Sequence, residues 1–213
     1  MQTYRTIALV AGGELDAGLL PQIRRSDLII GVDNGAWWLL SNQCIPGVAI
    51  GDFDSVTTSQ FEEIKKQVAI VKHYSSHKNY TDTELAVRYT VKLKPQEIII
   101  YGGIGSRIDH TLGVLGLLEY IASKKIHGVM EGTHYYIELL SVGIHKVSRV
   151  KKLPYISLIP TTASARISLE GFSYNGTHTL KRSHAKGISN ELTNNSGTIT
   201  IHRGSLLCIQ TTD

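Results

Sequence analysis

The sequence predicts an α/β unit followed by an all-β one: a parallel sheet with helices on both faces, then a small antiparallel β-sandwich. Three observations lead there. Up to residue 123, short apolar runs alternate with stretches of helical period, the pattern of a covered parallel sheet. Beyond residue 130, brief strand-like runs follow one another between Gly, Asn, Ser and Pro turns such as Asn194-Asn195-Ser196-Gly197. Polar clusters also follow the N-terminal runs, where open α/β sheets bind their ligands.

Residues 6–11 form an unbroken apolar run ending in Gly12-Gly13, as a strand buried on both faces requires. A helical stretch begins near Asp16 and is interrupted by Pro21. Residues 27–32 repeat the strand pattern and end in Asp33-Asn34-Gly35-Ala36, after which Trp37, Trp38, Leu39 and Leu40 give a helix a broad apolar face. Residues 48–50 end a third strand, 59–67 a helix, and 68–71 a fourth strand. A helix begins near Thr81, a fifth strand covers 97–101 and a long helix covers 109–123. Such alternation describes a Rossmann-like sheet. The later strands are expected at 134–140, 155–159, 165–169, 198–202 and 206–210. The expected division is 1–128 for the α/β domain and 129–213 for the β-sandwich.

Composition sets bounds. The 213 residues suffice for one large domain or two small ones, and 42% hydrophobic residues with a mean hydropathy of −0.03 are ordinary for a globular chain. No apolar run approaches the ~20 residues of a bilayer span, and no secretory signal is visible at the start. Cys44 and Cys208 lie far apart, with no metal spacing, so the expectation is a reduced, cytoplasmic protein. The net charge of +4 suits a pocket for a polyanionic nucleotide. The basic clusters at 145–152 and 181–186 lack interleaved aromatics, so neither nucleic acid nor membrane is expected as a partner.

Three elements carry chemistry. In Gly51-Asp52-Phe53-Asp54-Ser55, an extended backbone would point Asp52 and Asp54 the same way and Phe53 into the core. Paired carboxylates suit Mg²⁺ shared with phosphates; a polar turn with a helix cap is the alternative. In the second element, Thr81 and Glu84 read as a capping box with Asp82 in the first turn, and Lys78 precedes a helix N-terminus suited to phosphate. The third, Gly102-Gly103-Ile104-Gly105-Ser106-Arg107-Ile108-Asp109-His110, offers close backbone approach, a guanidinium fork for phosphate oxygens, and Asp109 as cap, ligand or base. The P-loop pattern is absent, and Ser55 lacks the Gly-x-Ser-x-Gly setting of a serine hydrolase.

Together these elements resemble the thiamine pyrophosphokinase (thiamine diphosphokinase) family. Residues 51–55 match its Gly-Asp-Phe-Asp-Ser motif, and 78–82 look like its Lys-Asp-x-Thr-Asp element. Residues 102–110 resemble its Gly-Gly-x-Gly-Gly-Arg-x-Asp-His element and 33–36 its Asp-Gly-Gly-Ala segment. Gly187-Ile188-Ser189-Asn190-Glu191 resembles its Gly-x-Ser-Asn-Glu stretch. Asn79, Ser106 and Val114 depart from the pattern. Asn79 loses a charge, Ser106 requires that the loop not need positive φ there, and Val114 removes a polar contact.

The resemblance implies pyrophosphoryl transfer from ATP to the hydroxyl of thiamine, releasing AMP. Asp52, Asp54 and Asp82 are expected to hold Mg²⁺, with Arg107 and Asp109 completing the catalytic set. Asp33, Lys78, Thr81, Gly102, Gly103, Arg107 and His110 are expected at the nucleotide. It also implies a homodimer whose active site lies at the subunit interface, with Ser189 and Asn190 on the thiamine side in trans. Tyr174 and Phe172 are candidate aromatic partners for thiamine. The rival readings are a pyrophosphokinase for another alcohol, such as a hydroxymethyl pterin, and a non-catalytic nucleotide-sensing module.

Overall fold

The structure, a computed structural model, describes residues 3–75, 79–150 and 152–213. The chain divides into two compact units, Met1–Thr133 and His134–Asp213.

In the first unit the strands are β1 (Thr6–Val10), β2 (Leu28–Val32), β3 (Val48–Gly51), β4 (Ile70–His73), β5 (Glu97–Tyr101) and β6 (His127–Glu131). Every pairing among them is parallel, in the order β6-β5-β1-β2-β3-β4. Ile7, Ala8, Leu9 and Val10 are all at 0% exposure, so the sheet is covered on both faces, as their unbroken apolar run anticipates. The helices are α1 (Leu20–Ile23), α2 (Asn34–Ser41), α3 (Thr58–Gln67), α4 (Asp82–Lys92) and α5 (Ile108–Ser123). Leu20 and Ile23 of α1 and Leu39 of α2 share one core cluster with Ala8 and Val10. Helix α4 packs on β1, β2 and β3 beside α5, which packs on β6. Strand β1 has β2 on one side and β5 on the other, so the strand order reverses there, and crevices open at the carboxyl ends.

Local differences from expectation have local causes. The helix expected from Asp16 is a 3₁₀ turn, Ala17–Leu19, and then the single turn of α1, with Pro21 in its first positions. The fourth strand starts two residues later than its apolar run, because the Val68 N–H still donates to Ile64 and ends α3. Strand β6 was not anticipated; its parallel register with β5 keeps 127–131 in the first unit.

The second unit contains β7 (Tyr135–Leu140), β8 (Gly143–Ser148), β9 (Tyr155–Pro160), β10 (Ser164–Glu170), β11 (Gly176–Lys181), β12 (Asn190–Glu191), β13 (Ser196–Arg203) and β14 (Leu206–Thr211). They form two antiparallel sheets, β12-β9-β14-β7 and β11-β10-β13-β8. Leu140, Ile156, Leu158 and Leu206 from one meet Ala165, Ile167, Leu180, Ile199 and Ile201 from the other in a single core. Strands β8 and β11 escape the sequence reading because each buries one side chain, Val147 and Leu180, amid polar neighbours.

Candidate active site

At the carboxyl edge of the parallel sheet, segments that follow five strands, β1 to β5, line a cavity of about 760 Å³, within the range that holds a cofactor-sized ligand. Backbone contacts seat the glycine loops against one another. Gly13 N–H donates to the Gly102 carbonyl at 3.0 Å, and a side chain at Gly13 would run into the Ile104 carbonyl. Gly102 has φ +64°, which a glycine adopts without strain. Gly12, Gly13, Gly102 and Gly103 therefore bring bare backbone to the cavity wall.

The acidic patch is built from two strand ends. Asp33 follows β2 at φ 49°, ψ −123°, and its N–H donates to the Ile50 carbonyl of β3 at 2.9 Å. Asp52 and Asp54 follow β3. Phe53 between them is left-handed (φ 57°) rather than extended, and its ring stacks on Phe61 of α3 at 4.7 Å. The expected division of labour holds, two carboxylates out and one ring in, but a backbone twist produces it instead of strand alternation. One carboxylate oxygen from each of Asp33, Asp52 and Asp54 lies within 4.8 Å of the others.

Asp33 is the most constrained member. Burial pushes its carboxyl above the usual range and the charges of Asp82, Asp54 and Asp52 add to that, while a hydrogen bond from Ser55 opposes it. Ser55 Oγ donates to Asp33 Oδ2 at 2.6 Å; Asp33 Oδ1 is buried with no hydrogen-bond partner among the described residues. A buried, unpartnered carboxylate oxygen beside two further carboxylates fits a hard divalent cation such as Mg²⁺. Sequence reasoning assigned Asp33 to the nucleotide and missed Ser55. The signal for Ser55 was its place next to the acidic pair.

Asp82 arrives from the first turn of α4 and lines the same cavity with Thr81 and Asn79. Thr81 caps the helix by accepting the Glu84 N–H at 3.2 Å. The reciprocal half of the expected capping box is not made, because the Glu84 carboxylate binds Arg88 instead. Lys78 lies outside the described residues.

Arg107 and His110 line the cavity from the start of α5. Arg107 makes a forked pair with Asp109, Nη2 to Oδ2 at 2.6 Å and Nε to Oδ1 at 3.2 Å, and both side chains are more than 60% exposed. That hydrogen bond holds the Asp109 carboxyl down at about 2. Asp109 itself is not among the residues lining the cavity. Thr111, which sequence reasoning passed over, pins the loop: its hydroxyl accepts the Gly105 N–H and donates to the Arg107 carbonyl, each at 3.3 Å. Among the departures, Ser106 is outside the set of positive-φ residues, so serine is tolerated there. Val114 is buried against the cavity.

In the second unit Ser189 is exposed, with φ 56°, and its N–H donates to Ser157 Oγ at 3.0 Å. Asn190 is 5% exposed, and its amide is used on backbone: Oδ1 accepts from Tyr174 N at 3.0 Å and Glu191 N at 2.9 Å, and Nδ2 donates to the Tyr174 carbonyl at 3.1 Å. Asn190 thus holds the turn that presents Tyr174. Tyr174 is 70% exposed, whereas Phe172 is buried in the sandwich core.

Residues 21–130 match the family described as thiamin pyrophosphokinase, catalytic domain, and residues 144–206 the one described as thiamin pyrophosphokinase, vitamin B1 binding domain. A thiamine pyrophosphokinase of Bacillus subtilis (strain 168) is 33% identical over 216 residues, spanning 98% of this chain and 100% of the relative. The crystal structure of thiamine pyrophosphokinase from Bacillus subtilis superposes with a TM-score of 0.89 at 31% identity, over 98% of this chain and 100% of the other. The thiamin pyrophosphokinase structure from Geobacillus thermodenitrificans gives 0.85 at 28% identity, over 98% of each chain. The yeast thiamin pyrophosphokinase, at 14% identity, shares the fold with a TM-score of 0.76 over 100% of this chain and 88% of its own. With both family segments matched in order and a relative similar along nearly its whole length, the chain belongs to the thiamin pyrophosphokinase family and is an enzyme that forms thiamine diphosphate.

Proposed function

We propose that the donor is ATP, that its terminal pyrophosphoryl group passes to the hydroxyl of thiamine with release of AMP, and that the reaction depends on Mg²⁺. The observation that carries this is the Asp33–Asp52–Asp54 patch with its buried, unpartnered oxygen, set in a cavity bordered by glycine backbone and the N-terminus of α4. Asp52, Asp54 and Asp82 would hold the cation, and Asp33 completes the oxygen set. Mg²⁺ bound there supplies positive charge to the triphosphate, the main electrostatic demand of phosphoryl transfer.

The chain's own groups position and neutralise. Gly12, Gly13, Gly102 and Gly103 let phosphate oxygens approach backbone closely, and the N-terminus of α4 adds a favourable dipole. Arg107 offers its fork to phosphate, which would compete with Asp109 for it. While paired, Asp109 at about 2 is a weak proton acceptor. Lys78 is proposed to add charge to the phosphates, and Thr81 and His110 to line the nucleotide. Ser189 is proposed at thiamine, with Asn190 fixing the turn beside it and Tyr174 offering its exposed ring. The proposed assembly is a homodimer in which the partner supplies that thiamine side. A reducing, cytoplasmic setting fits the two buried free thiols, Cys44 and Cys208.

The test is Asp54→Ala. Thiamine- and Mg²⁺-dependent AMP release from ATP is expected to vanish while circular dichroism and the melting temperature stay near wild type. Unchanged turnover would remove the metal assignment.

A further inference from the structure

Arg88 is absorbed by none of the roles above, yet it joins three elements. Its guanidinium carbon lies 4.4 Å from the ring centre of Tyr80, just before α4, and 5.0 Å from that of Tyr120 on α5. In the guanidinium plane, Nε and Nη2 each lie 2.9 Å from Glu84 Oε1. The pair is half-buried, with side-chain exposures of 38% for Arg88 and 26% for Glu84. Contact with two rings and two donors to one carboxylate oxygen call for a planar, delocalised cation; the compact ammonium of lysine cannot supply both.

The position of Tyr80 gives the cluster its meaning. Tyr80 directly precedes the Thr81 cap, lines the cavity with Asn79 and Asp82, and is 43% exposed. A residue at that position is commonly stapled to an apolar side chain one turn into the helix. Here Arg88 holds the Tyr80 ring, and Glu84 places Oε1 on Arg88 while the reciprocal bond to the Thr81 N–H is not made. Thr81 still caps α4 and the Glu84–Arg88 pair offsets the reciprocal bond that is not made, so what the arrangement adds is the hold on Tyr80.

We infer that Arg88 is a positioning residue for the nucleotide site: by holding Tyr80 it sets the turn that delivers Asp82 to the acidic patch. The inference rests on the proposed Mg²⁺–ATP reading of the cavity. Asp82 is two residues from Tyr80 and contributes to the electrostatics of Asp33, so a shifted turn changes the patch directly. Thiamine is proposed to bind elsewhere, and its affinity is independent of this clamp.

The experiment compares wild type with Arg88→Ala, Arg88→Lys, Tyr80→Ala and the Arg88→Ala/Tyr80→Ala double variant. Calorimetry measures binding of a non-hydrolysable ATP analogue with Mg²⁺, and steady-state kinetics give kcat and both KM values. Arg88→Ala is expected to weaken analogue binding and raise the ATP KM about fivefold to tenfold, with kcat within about twofold and the thiamine KM unchanged. Arg88→Lys recovers part of the loss, and the double variant is no worse than either single one. Wild-type affinity in Arg88→Ala, multiplied losses in the double variant, or a fall in kcat with KM unchanged would each overturn the inference. If Arg88→Ala does not fold, Arg88→Lys and Tyr80→Ala carry the same comparison. A wild-type protein that fails to bind the analogue overturns the nucleotide reading itself, whereas a binding wild type with an unaffected Arg88→Ala overturns only the role of Arg88.

Discussion

Asp33 is held with a carboxyl oxygen buried and unpartnered beside Asp52 and Asp54. Its folded pKa lies above the usual value, chiefly through burial. A raised carboxyl favours the folded state only in its protonated form, so this contribution is present at acid pH and lost as pH rises through the folded pKa. At neutral pH and without metal, Asp33 is therefore a burden on the fold. Asp33→Asn should melt at a higher temperature than wild type at pH 7, the difference closing as pH falls into the carboxylate range. The same variant should lose most of the stabilisation that added Mg²⁺ gives wild type, a result read by thermal melts in both conditions. A lower melting point for Asp33→Asn at pH 7 would refute this. Arg107 is different in kind. Its pair with Asp109 is exposed, so Arg107→Ala should leave the melting temperature unchanged while raising the ATP KM about tenfold.

Among the elements, glycines divide into those that seat the loops and those that do not. A side chain at Gly35, on the first turn of α2, would run into the Val10 carbonyl of β1, so Gly35→Ala should cost about 2–3 kcal/mol or prevent folding. Gly113 on α5 has open space where its side chain would lie, so Gly113→Ala should gain about 0.5–1 kcal/mol in denaturant unfolding. Asn190 makes three backbone hydrogen bonds around the Tyr174 turn, and Asn190→Ala should lose about 2 kcal/mol with the thiamine KM rising as that turn loosens. Elements with an unbroken apolar run or a long helical period were legible in the chain: β5 begins and ends as its apolar run does, and α5 starts one residue early. β8 and β11 were not, since one buried residue among His, Lys and Thr carries no alternation to read.

For the whole molecule, the proposed sharing of each site between two chains has a direct consequence. An Asp54→Ala chain keeps its thiamine side, and a Ser189→Arg chain keeps its nucleotide side. Mixed and reassociated, the two inactive proteins should recover about a quarter of wild-type activity, since random pairing makes half the dimers hybrid and each hybrid has one intact site. No recovery, with hybrid dimers shown to form, would argue for a site complete within one chain.

By itself the sequence determined the α/β-then-β order, the acidic and glycine motifs and the family they resemble, because apolar period and turn chemistry are local properties of the chain. Only the tertiary structure decided which motif residues share a space. It drew Asp33 into the acidic patch through the adjacent ends of β2 and β3, and tied Arg107, which lines the cavity, to Asp109, which does not. It also turned Glu84 from its cap to Arg88. Carboxylates and guanidinium groups settle by distance and burial, and those depend on strand register and helix packing rather than on spacing along the chain.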